Sequence, residues 1–319
     1  MNTEIARAKL LDLIKDKRFW IVIGLLLLLL GLSYLPFINK AGYIRDDWGT
    51  LFVIKQKSIG ALFYHFSFDR PFRAYHAMLT ARLFGTNLLA YQAFGLLYRG
   101  MESLFIFLIF AQLFPKRWRM NATIAALVLV FPGFQDQLHA FDFHVHLFVS
   151  MLLKFSVLLS LLAFREKRTG IGVILAIGAL GSAAISWGFM EWFIGLEAFR
   201  IWVLYMAARQ DGRLDGKLAA HSAIYVFSAA VYSYWRLFIF EAQRSSVDGS
   251  ELLADAGGTT GIGNLLKLLG ENVYLQAVAG WFEPLQLQLG RMTVIQIWIG
   301  LALAALSTST DLAANPQIG

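Results

Sequence analysis

The chain has 319 residues, contains no cysteine and carries little charge. Without cysteine it can have no disulfide framework, no thiolate chemistry and no cysteine-based metal site. Charged residues make up 15% of the sequence, whereas a soluble domain carries roughly 25%. Long uncharged apolar runs recur along the chain. The composition therefore argues against an ordinary soluble enzyme and indicates a polytopic membrane protein.

Apolar and aromatic side chains take the place of the missing charge. Hydrophobic residues make up 58% of the chain, and the aromatic ones include 27 Phe, 9 Trp and 11 Tyr. This content fits lipid-facing and interfacial positions. The formal net charge of +7 would suit nucleic acid, but most Lys and Arg lie in short clusters between apolar runs. That pattern is typical of membrane orientation, and we expect no nucleic-acid partner.

Runs of about 20 apolar residues predict an all-α, polytopic transmembrane helical bundle of about eight spans. The predicted spans are residues 19–37, 88–114, 121–135, 143–164, 170–188, 189–208, 218–239 and the shorter 292–307. The segment 271–290 contains Glu283-Pro284 and is predicted to be interfacial or re-entrant. No repeat or long linker divides the chain, so residues 1–319 are predicted to form one membrane domain with no separate soluble domain.

Basic clusters predict the orientation of these spans. The four clusters are Arg7, Lys9, Lys15, Lys17 and Arg18; Lys116, Arg117 and Arg119; Arg165, Lys167 and Arg168; and Arg209, Arg213 and Lys217. They fall on one side if the spans alternate, and the positive-inside rule makes that side cytoplasmic. We therefore expect a multi-pass protein of a bacterial inner membrane with a cytoplasmic N-terminus. The first outer loop (38–87) and a flexible loop (240–268) then lie outside.

The first outer loop contains two adjacent carboxylates, Asp46 and Asp47. Carboxylates at a membrane surface are costly to hold near hydrocarbon and are functional candidates. Adjacent side chains point about 100° apart on a helix, so one is expected to act as a catalytic base or metal ligand and the other to support it. The alternatives are a surface ion pair with Arg45 or a cap for a helix beginning near Trp48.

The rest of this loop predicts two further features. Residues 50–66 have an amphipathic pattern, which predicts a helix lying at the membrane interface or an ordinary helix packed on its neighbours. Pro71 is expected to begin a helix that ends near Phe84. Arg70 and Arg73 at its start predict an anion site. Alternatively, these arginines reach lipid phosphates.

A second group of polar residues precedes the fourth span. If this segment is helical, His139, Asp142 and His146 share one face. One interpretation is a divalent cation, Mg²⁺ or Mn²⁺, held by Asp142 with His146. Another is recognition of sugar hydroxyls by His139 and Asp142, and the third is a solvated loop. No other cofactor is expected.

Two charged residues near the outer ends of later spans are also candidates. Glu191 lies within an apolar stretch, where a carboxylate is costly unless it is paired or faces water, and it is predicted to contact substrate. Arg236 is predicted to be a second phosphate-binding residue or a plain interface anchor. Glu197 and Arg200 are predicted to pair with each other at i, i+3.

This arrangement resembles the GT-C superfamily of polytopic glycosyltransferases, and in particular its uncharacterised bacterial members. The resemblance covers roughly residues 19–240. It rests on the acidic pair after the first span, the predicted interface helix, Arg70-Pro71 and the spans that follow. It implies an enzyme that transfers a hexosyl or pentosyl group from a polyprenyl-phosphate donor to a glycan, lipid or protein acceptor on the non-cytoplasmic face.

The resemblance also implies roles for individual residues. Asp46 or Asp47 would be the general base, and a single base suffices for an inverting displacement because phosphate is already a good leaving group. Arg70, Arg73 or Arg236 would offset the charge of the departing lipid phosphate. His139, Asp142 and Glu191 would contact the substrate.

Three other functions compete with this interpretation. A transporter or flippase for a lipid-linked or anionic solute would place charges deep within spans and show repeats; Lys154 and Glu191 are the candidate charges. A membrane O-acyltransferase would need an intramembrane His, whereas His221 is predicted at the cytoplasmic end. The third alternative is a non-catalytic, C-terminally truncated membrane protein, because GT-C members usually have more spans.

Overall fold

The computed structural model describes residues 13–38, 42–43, 46–131, 143–212, 214 and 216–240, together with Lys267, Gly270, Glu271 and Tyr274. These residues form helices and no strand. The α-helices are α1 (Lys17–Tyr34), α2 (Asp47–Gln56), α3 (Ala61–Ser67), α4 (Pro71–Phe84), α5 (Leu88–Leu113), α6 (Trp118–Val130), α7 (His144–Arg165), α8 (Thr169–Phe189), α9 (Glu197–Gln210) and α10 (Gly216–Tyr234). Short 3₁₀ turns cover Leu35–Phe37 and Glu191–Leu196, and a π turn covers Trp235–Ile239.

Four of the described helices, α1, α5, α7 and α8, are long and apolar enough to cross a membrane. Large apolar side chains on them point outward: Leu28 of α1 is 58% exposed and Ile174 of α8 is 70% exposed. Such exposure is costly in water and normal in lipid. The described helices are therefore compatible with a multi-pass membrane protein.

The predicted span 218–239 corresponds largely to α10, which has 19 residues but is not one of those four helices. The other predicted spans are not long helices in the described residues. Helix α6 has 13 residues, where a span needs about 20. The predicted span 189–208 is the turn Glu191–Leu196 followed by the 14 residues of α9. The predicted span 292–307 and nearly all of the segment 271–290 lie outside the described residues. The prediction of about eight spans thus stays a prediction.

Residues 1–129 and 136–233 form one compact unit, and residues 130–135 and 234–319 form another. In the first unit α1 runs antiparallel to α5. The ring of Phe19 lies 6.3 Å from that of Phe107, and the Tyr34 hydroxyl donates to the carbonyl oxygen of Leu129 at 2.7 Å. Helices α7 and α8 form the central hairpin, in which Leu153 packs with Ala183 and Trp187.

Side chains join the helix ends where the basic clusters lie. Arg165 Nη1 donates to the carbonyl oxygen of Gln112 at 2.8 Å, and Gln210 Nε2 donates to that of Leu113 at 2.7 Å. Lys217 Nζ donates to the carbonyl oxygen of Phe164 at 2.6 Å. These bonds satisfy carbonyl groups that helix ends leave without a partner. The ends of α5, α7 and α9 and the start of α10 therefore meet at one end of the unit, here named the basic end.

The first loop is more helical than its amphipathic pattern predicted. Residues 50–66 belong to two helices, α2 and α3, separated at residues 57–60. Helix α4 begins at Pro71, as the sequence predicted, and ends before Gly85, whose φ of 57° is one that other residues rarely adopt. Val53, Leu62 and Ala81 are buried together. This packing favours ordinary packed helices, while a location at the membrane interface stays a prediction.

Candidate functional site

The two adjacent carboxylates of the first loop lie in different environments. Asp47 is the first residue of α2 and is 0% exposed, whereas Asp46 precedes the helix and is exposed. The Asp46 side chain makes no capping hydrogen bond, so Asp46 does not cap α2 as the sequence suggested. Burial and the nearby Asp47 carboxylate raise the pKa of the Tyr43 hydroxyl. Arg45, the other suggested partner, lies outside the described residues.

Helix α4 presents a buried polar face formed by Arg73, His76 and Thr80. The ring of His76 lies 5.1 Å from that of His144, the first residue of α7. Within the described part of the chain, Nε2 of His76 and both ring nitrogens of His144 have no hydrogen-bond partner. Burial, followed by the influence of His144 and Arg73, lowers the pKa of His76 well below 6.5. His76 is therefore a neutral imidazole at physiological pH.

A tyrosine of α5 connects this face to the acidic pair. The ring of Tyr91 lies 5.6 Å from that of His144, and its hydroxyl donates to the carbonyl oxygen of Gly85 at 3.4 Å. Tyr43 packs against the cluster formed by Tyr91 and Leu51, and the Tyr43 hydroxyl donates to the carbonyl oxygen of Thr86 at 2.6 Å. Rings 5–6 Å apart are in direct contact. This cluster therefore positions α2 and α4 against α5 and is a packed interior.

An arginine–carboxylate group lies where α4 starts and α8 ends. Arg70 donates from Nε to Glu191 Oε2 at 3.1 Å and from Nη2 to Glu191 Oε1 at 3.2 Å, which is a bidentate pair. Its Nη1 donates to Asp69 Oδ2 at 3.1 Å. The guanidinium carbon lies 4.9 Å from the ring centre of Trp192, and the His146 ring lies 6.2 Å from the same ring. The structure thus brings together Arg70, Glu191 and His146, which are far apart in sequence.

The other predicted arginines lie elsewhere. Arg73 is buried, with its guanidinium carbon 4.7 Å from the ring centre of Phe66. Arg236 belongs to the second compact unit, where its guanidinium carbon lies 5.1 Å from the ring centre of Phe240. The predicted phosphate-binding roles of all three arginines stay predictions.

The predicted polar group before the fourth span is described only in part. His139 and Asp142 lie outside the described residues. His146 is buried in the first turn of α7, with its ring 4.4 Å from that of Phe143. No group of three or more potential metal-binding side chains occurs among the described residues. A divalent cation held by Asp142 with His146 stays a prediction.

Sequence reasoning named Lys154 as a charge within a span but missed its partners, which form a charged network halfway along α5 and α7. Lys154 Nζ donates to Glu102 Oε1 at 2.8 Å and to Ser150 Oγ at 2.6 Å, and Ser150 Oγ donates to the same carboxylate oxygen at 2.8 Å. Arg99 Nη1 lies 3.7 Å from Glu102 Oε2, and its Nε donates to the carbonyl oxygen of Leu129 at 3.1 Å. The signal in the sequence that could have revealed the network is the pair Arg99 and Glu102, spaced i, i+3 inside an apolar run.

No protein-family model matches this sequence, and it has no match among curated proteins or solved structures.

Proposed function

We propose that this protein is an integral-membrane glycosyltransferase of the GT-C type. It takes a polyprenyl-phosphate-linked sugar on the non-cytoplasmic face and transfers the sugar to a hydroxyl of a glycan, lipid or protein. One observation supports the proposal most: Asp46, Arg70 and Glu191 lie at the same end of the bundle, opposite the basic end. Tyr43 lies beside Asp47, and its hydroxyl donates to the carbonyl oxygen of Thr86, just before α5 begins. Glu191 follows the end of α8, which lies at the same end of the bundle.

In this proposal Asp46 is the general base. A base must come within hydrogen-bond reach of the proton it removes, and Asp46 is the exposed member of the pair. The acceptor hydroxyl gives its proton to Asp46, and its oxygen forms a bond to the anomeric carbon. The bond between that carbon and the phosphate oxygen breaks with inversion, and the electron pair leaves with the polyprenyl phosphate. Asp47 is a positioning residue, buried beside Tyr43 at the start of α2.

The start of α4 supplies the positive charge of the proposed phosphate site. Arg73 lies in the first turn of α4, where the helix dipole also favours an anion. Arg70 is hydrogen-bonded to Glu191 and Asp69 and Arg73 is largely buried, and both stay candidates for binding the phosphate. Arg236 stays a second candidate for binding the phosphate. A Mg²⁺ or Mn²⁺ ion with Asp142 and His146 as ligands stays a prediction.

The test uses the purified protein in lipid vesicles, with radiolabelled polyprenyl-phosphate hexoses and pentoses as donors and membrane extract as the source of acceptors. The release of polyprenyl phosphate is measured. Asp46→Asn should lower the rate at least about 100-fold, the usual contribution of a general base, and leave the unfolding temperature unchanged. Asp47→Asn should lower the unfolding temperature because its side chain is buried. Asp211→Asn, at the basic end, is the matched control and should keep the parent rate.

Two outcomes contradict the proposal at different levels. An Asp46→Asn variant with the parent rate removes the base assignment. A parent protein that leaves every donor intact removes the glycosyltransferase proposal itself.

A transporter or flippase is the second candidate, and the network of Arg99, Glu102 and Lys154 favours it. Charged residues in the middle of membrane helices mark substrate or ion pathways in many transporters. The same vesicles separate the two functions. A labelled donor that crosses the bilayer with its sugar still attached supports transport, whereas loss of the sugar supports transfer.

A further inference from the structure

We infer that the surface around Trp192 binds the ring of a sugar. The site consists of Asp69, Arg70, Glu191 and Trp192 and is named here the Trp192 platform. The inference rests on the proposed function for the class of ligand, and it assigns to that function the residues that recognise the sugar.

Trp192 is a large aromatic side chain that remains mostly exposed, at 62%. The Arg70 guanidinium lies against it, 4.9 Å from the ring centre. Arg70 is itself held on three sides by hydrogen bonds to Glu191 and Asp69. A ring fixed in this way loses little conformational entropy when a ligand stacks on its exposed surface.

The charges of the platform fit a neutral, hydroxyl-rich ligand. Two carboxylates, Asp69 and Glu191, accept three hydrogen bonds from the Arg70 guanidinium, so these donors are not offered to a phosphate. Their side chains are 16% and 28% exposed, so both carboxylates reach the surface. Ionised carboxylates only accept hydrogen bonds, and sugar hydroxyls donate them. An aromatic face beside such acceptors matches a pyranose, which has an apolar C–H face and a rim of hydroxyls.

Rigid elements support the platform. Asp69 and Arg70 directly precede α4, and Glu191 and Trp192 begin the 3₁₀ turn after α8. A Cβ atom placed on Gly188 would lie 3.2 Å from the Phe72 ring, so α4 and α8 are in close contact just beside the site. Sites built on the ends of packed helices hold their geometry better than sites on long loops.

The competing explanation is an interfacial tryptophan. Trp and Tyr are enriched at both faces of membrane proteins, where they anchor the protein in the lipid headgroups. The chain offers a matched control in Trp20 of α1, which is 59% exposed and lies near the basic end. An anchor of that kind has no affinity for a soluble sugar, whereas a sugar site does.

The experiment measures binding of methyl glycosides of glucose, mannose, galactose and arabinose by saturation-transfer NMR, with the full chain in lipid nanodiscs. The parent should bind at least one of them. Trp192→Ala should weaken that binding roughly 10-fold, as expected for loss of an aromatic contact, and Trp192→Phe should restore most of it. Glu191→Gln should also weaken binding, and Trp20→Ala should match the parent.

The inference is overturned if the parent binds none of the glycosides or if Trp192→Ala binds as tightly as Trp20→Ala. Its failure is separate from failure of the proposed function because no donor and no transfer are involved. If the protein binds glycosides but leaves every donor intact, the sugar site is supported and the glycosyltransferase proposal is contradicted. If the protein transfers sugar but the Trp192→Ala variant binds glycosides as tightly as the parent, the glycosyltransferase proposal is supported and the sugar site at Trp192 is contradicted.

Discussion

At the scale of single residues, identical side chains that are close in sequence lie in different surroundings. Asp46 and Asp47 are neighbours in sequence, yet Asp46 is exposed and Asp47 is fully buried at the first position of α2. Arg70 and Arg73 differ in a similar way, since Arg70 is bonded to surface carboxylates and Arg73 is buried against Phe66. For the two Asp residues, a rotation of about 100° per residue is enough to leave one carboxylate at the surface and bury its neighbour.

The buried imidazole of His76 makes the stability of the protein depend on pH. Its pKa lies well below 6.5 because it is buried and faces His144 and Arg73. Below pH 6.5 an unfolded chain therefore binds a proton that the folded protein does not bind. The contribution of neutral His76 to the free energy of unfolding is fully present above pH 6.5. It is lost as the pH falls from 6.5 to the pKa of the folded protein, by about 1.4 kcal/mol for each unit between the two pKa values. Unfolding temperatures measured in detergent between pH 8 and pH 5 should show this decrease.

Replacing His76 by Phe should make the decrease shallower. A Phe ring can keep the contacts with Phe148 and Phe189 without taking up a proton. The matched control is His65→Gln on α3, where the side chain is exposed and the pH response should stay that of the parent. Equal pH responses of His76→Phe and the parent would show that His76 does not set this dependence.

At the scale of elements, the sequence predicted the features that depend on local residues. Pro71 marks the start of α4, and the apolar runs match α5, α7 and α8 within a few residues. The predicted i, i+3 pair of Glu197 and Arg200 is confirmed, with Arg200 Nη2 donating to Glu197 Oε1 at 3.0 Å.

Contacts between distant segments could not be predicted from the sequence. Arg70 and Glu191 are 121 residues apart, and neither carries a local pattern that indicates the other. The contact between Trp192 and Arg70 depends in turn on that pair. The break at residues 57–60 is similar, because it lies between two helices whose position is set by packing on Ala81. Only the folded chain determines these features.

Two glycines of α8 test whether the contact between α4 and α8 matters. A Cβ atom on Gly188 would lie 3.2 Å from the Phe72 ring, whereas one on Gly181 would have no atom within 4 Å. Gly181→Ala should keep or slightly raise the unfolding temperature, because Ala favours a helix by up to about 1 kcal/mol over Gly. Gly188→Ala should lower it, because the ring or the helix must shift. Restoration by the added change Phe72→Ala would assign the loss to this contact, and a Gly188→Ala variant as stable as Gly181→Ala would contradict it.

At the scale of the whole first unit, the two ends of the bundle are built differently. At the basic end, long polar side chains such as Arg165 and Lys217 bond to helix carbonyls. At the opposite end, Asp47, His76 and His144 are buried, the two imidazoles among aromatic rings, and Trp192 is exposed. This asymmetry fits the proposal that the basic end faces the cytoplasm and that transfer takes place at the other end.

Membrane orientation can be tested directly because the chain has no cysteine of its own. Ser58→Cys lies between α2 and α3 at the end opposite the basic end, and Lys167→Cys lies between α7 and α8 at the basic end; both positions are exposed. If the positive-inside rule holds, a membrane-impermeant maleimide should label Ser58→Cys in spheroplasts and Lys167→Cys only after lysis. The reverse pattern would place Asp46 and the Trp192 platform on the cytoplasmic face. The donor would then have to be a cytoplasmic one, and the polyprenyl-phosphate proposal would fail even if the residues at the site were catalytic.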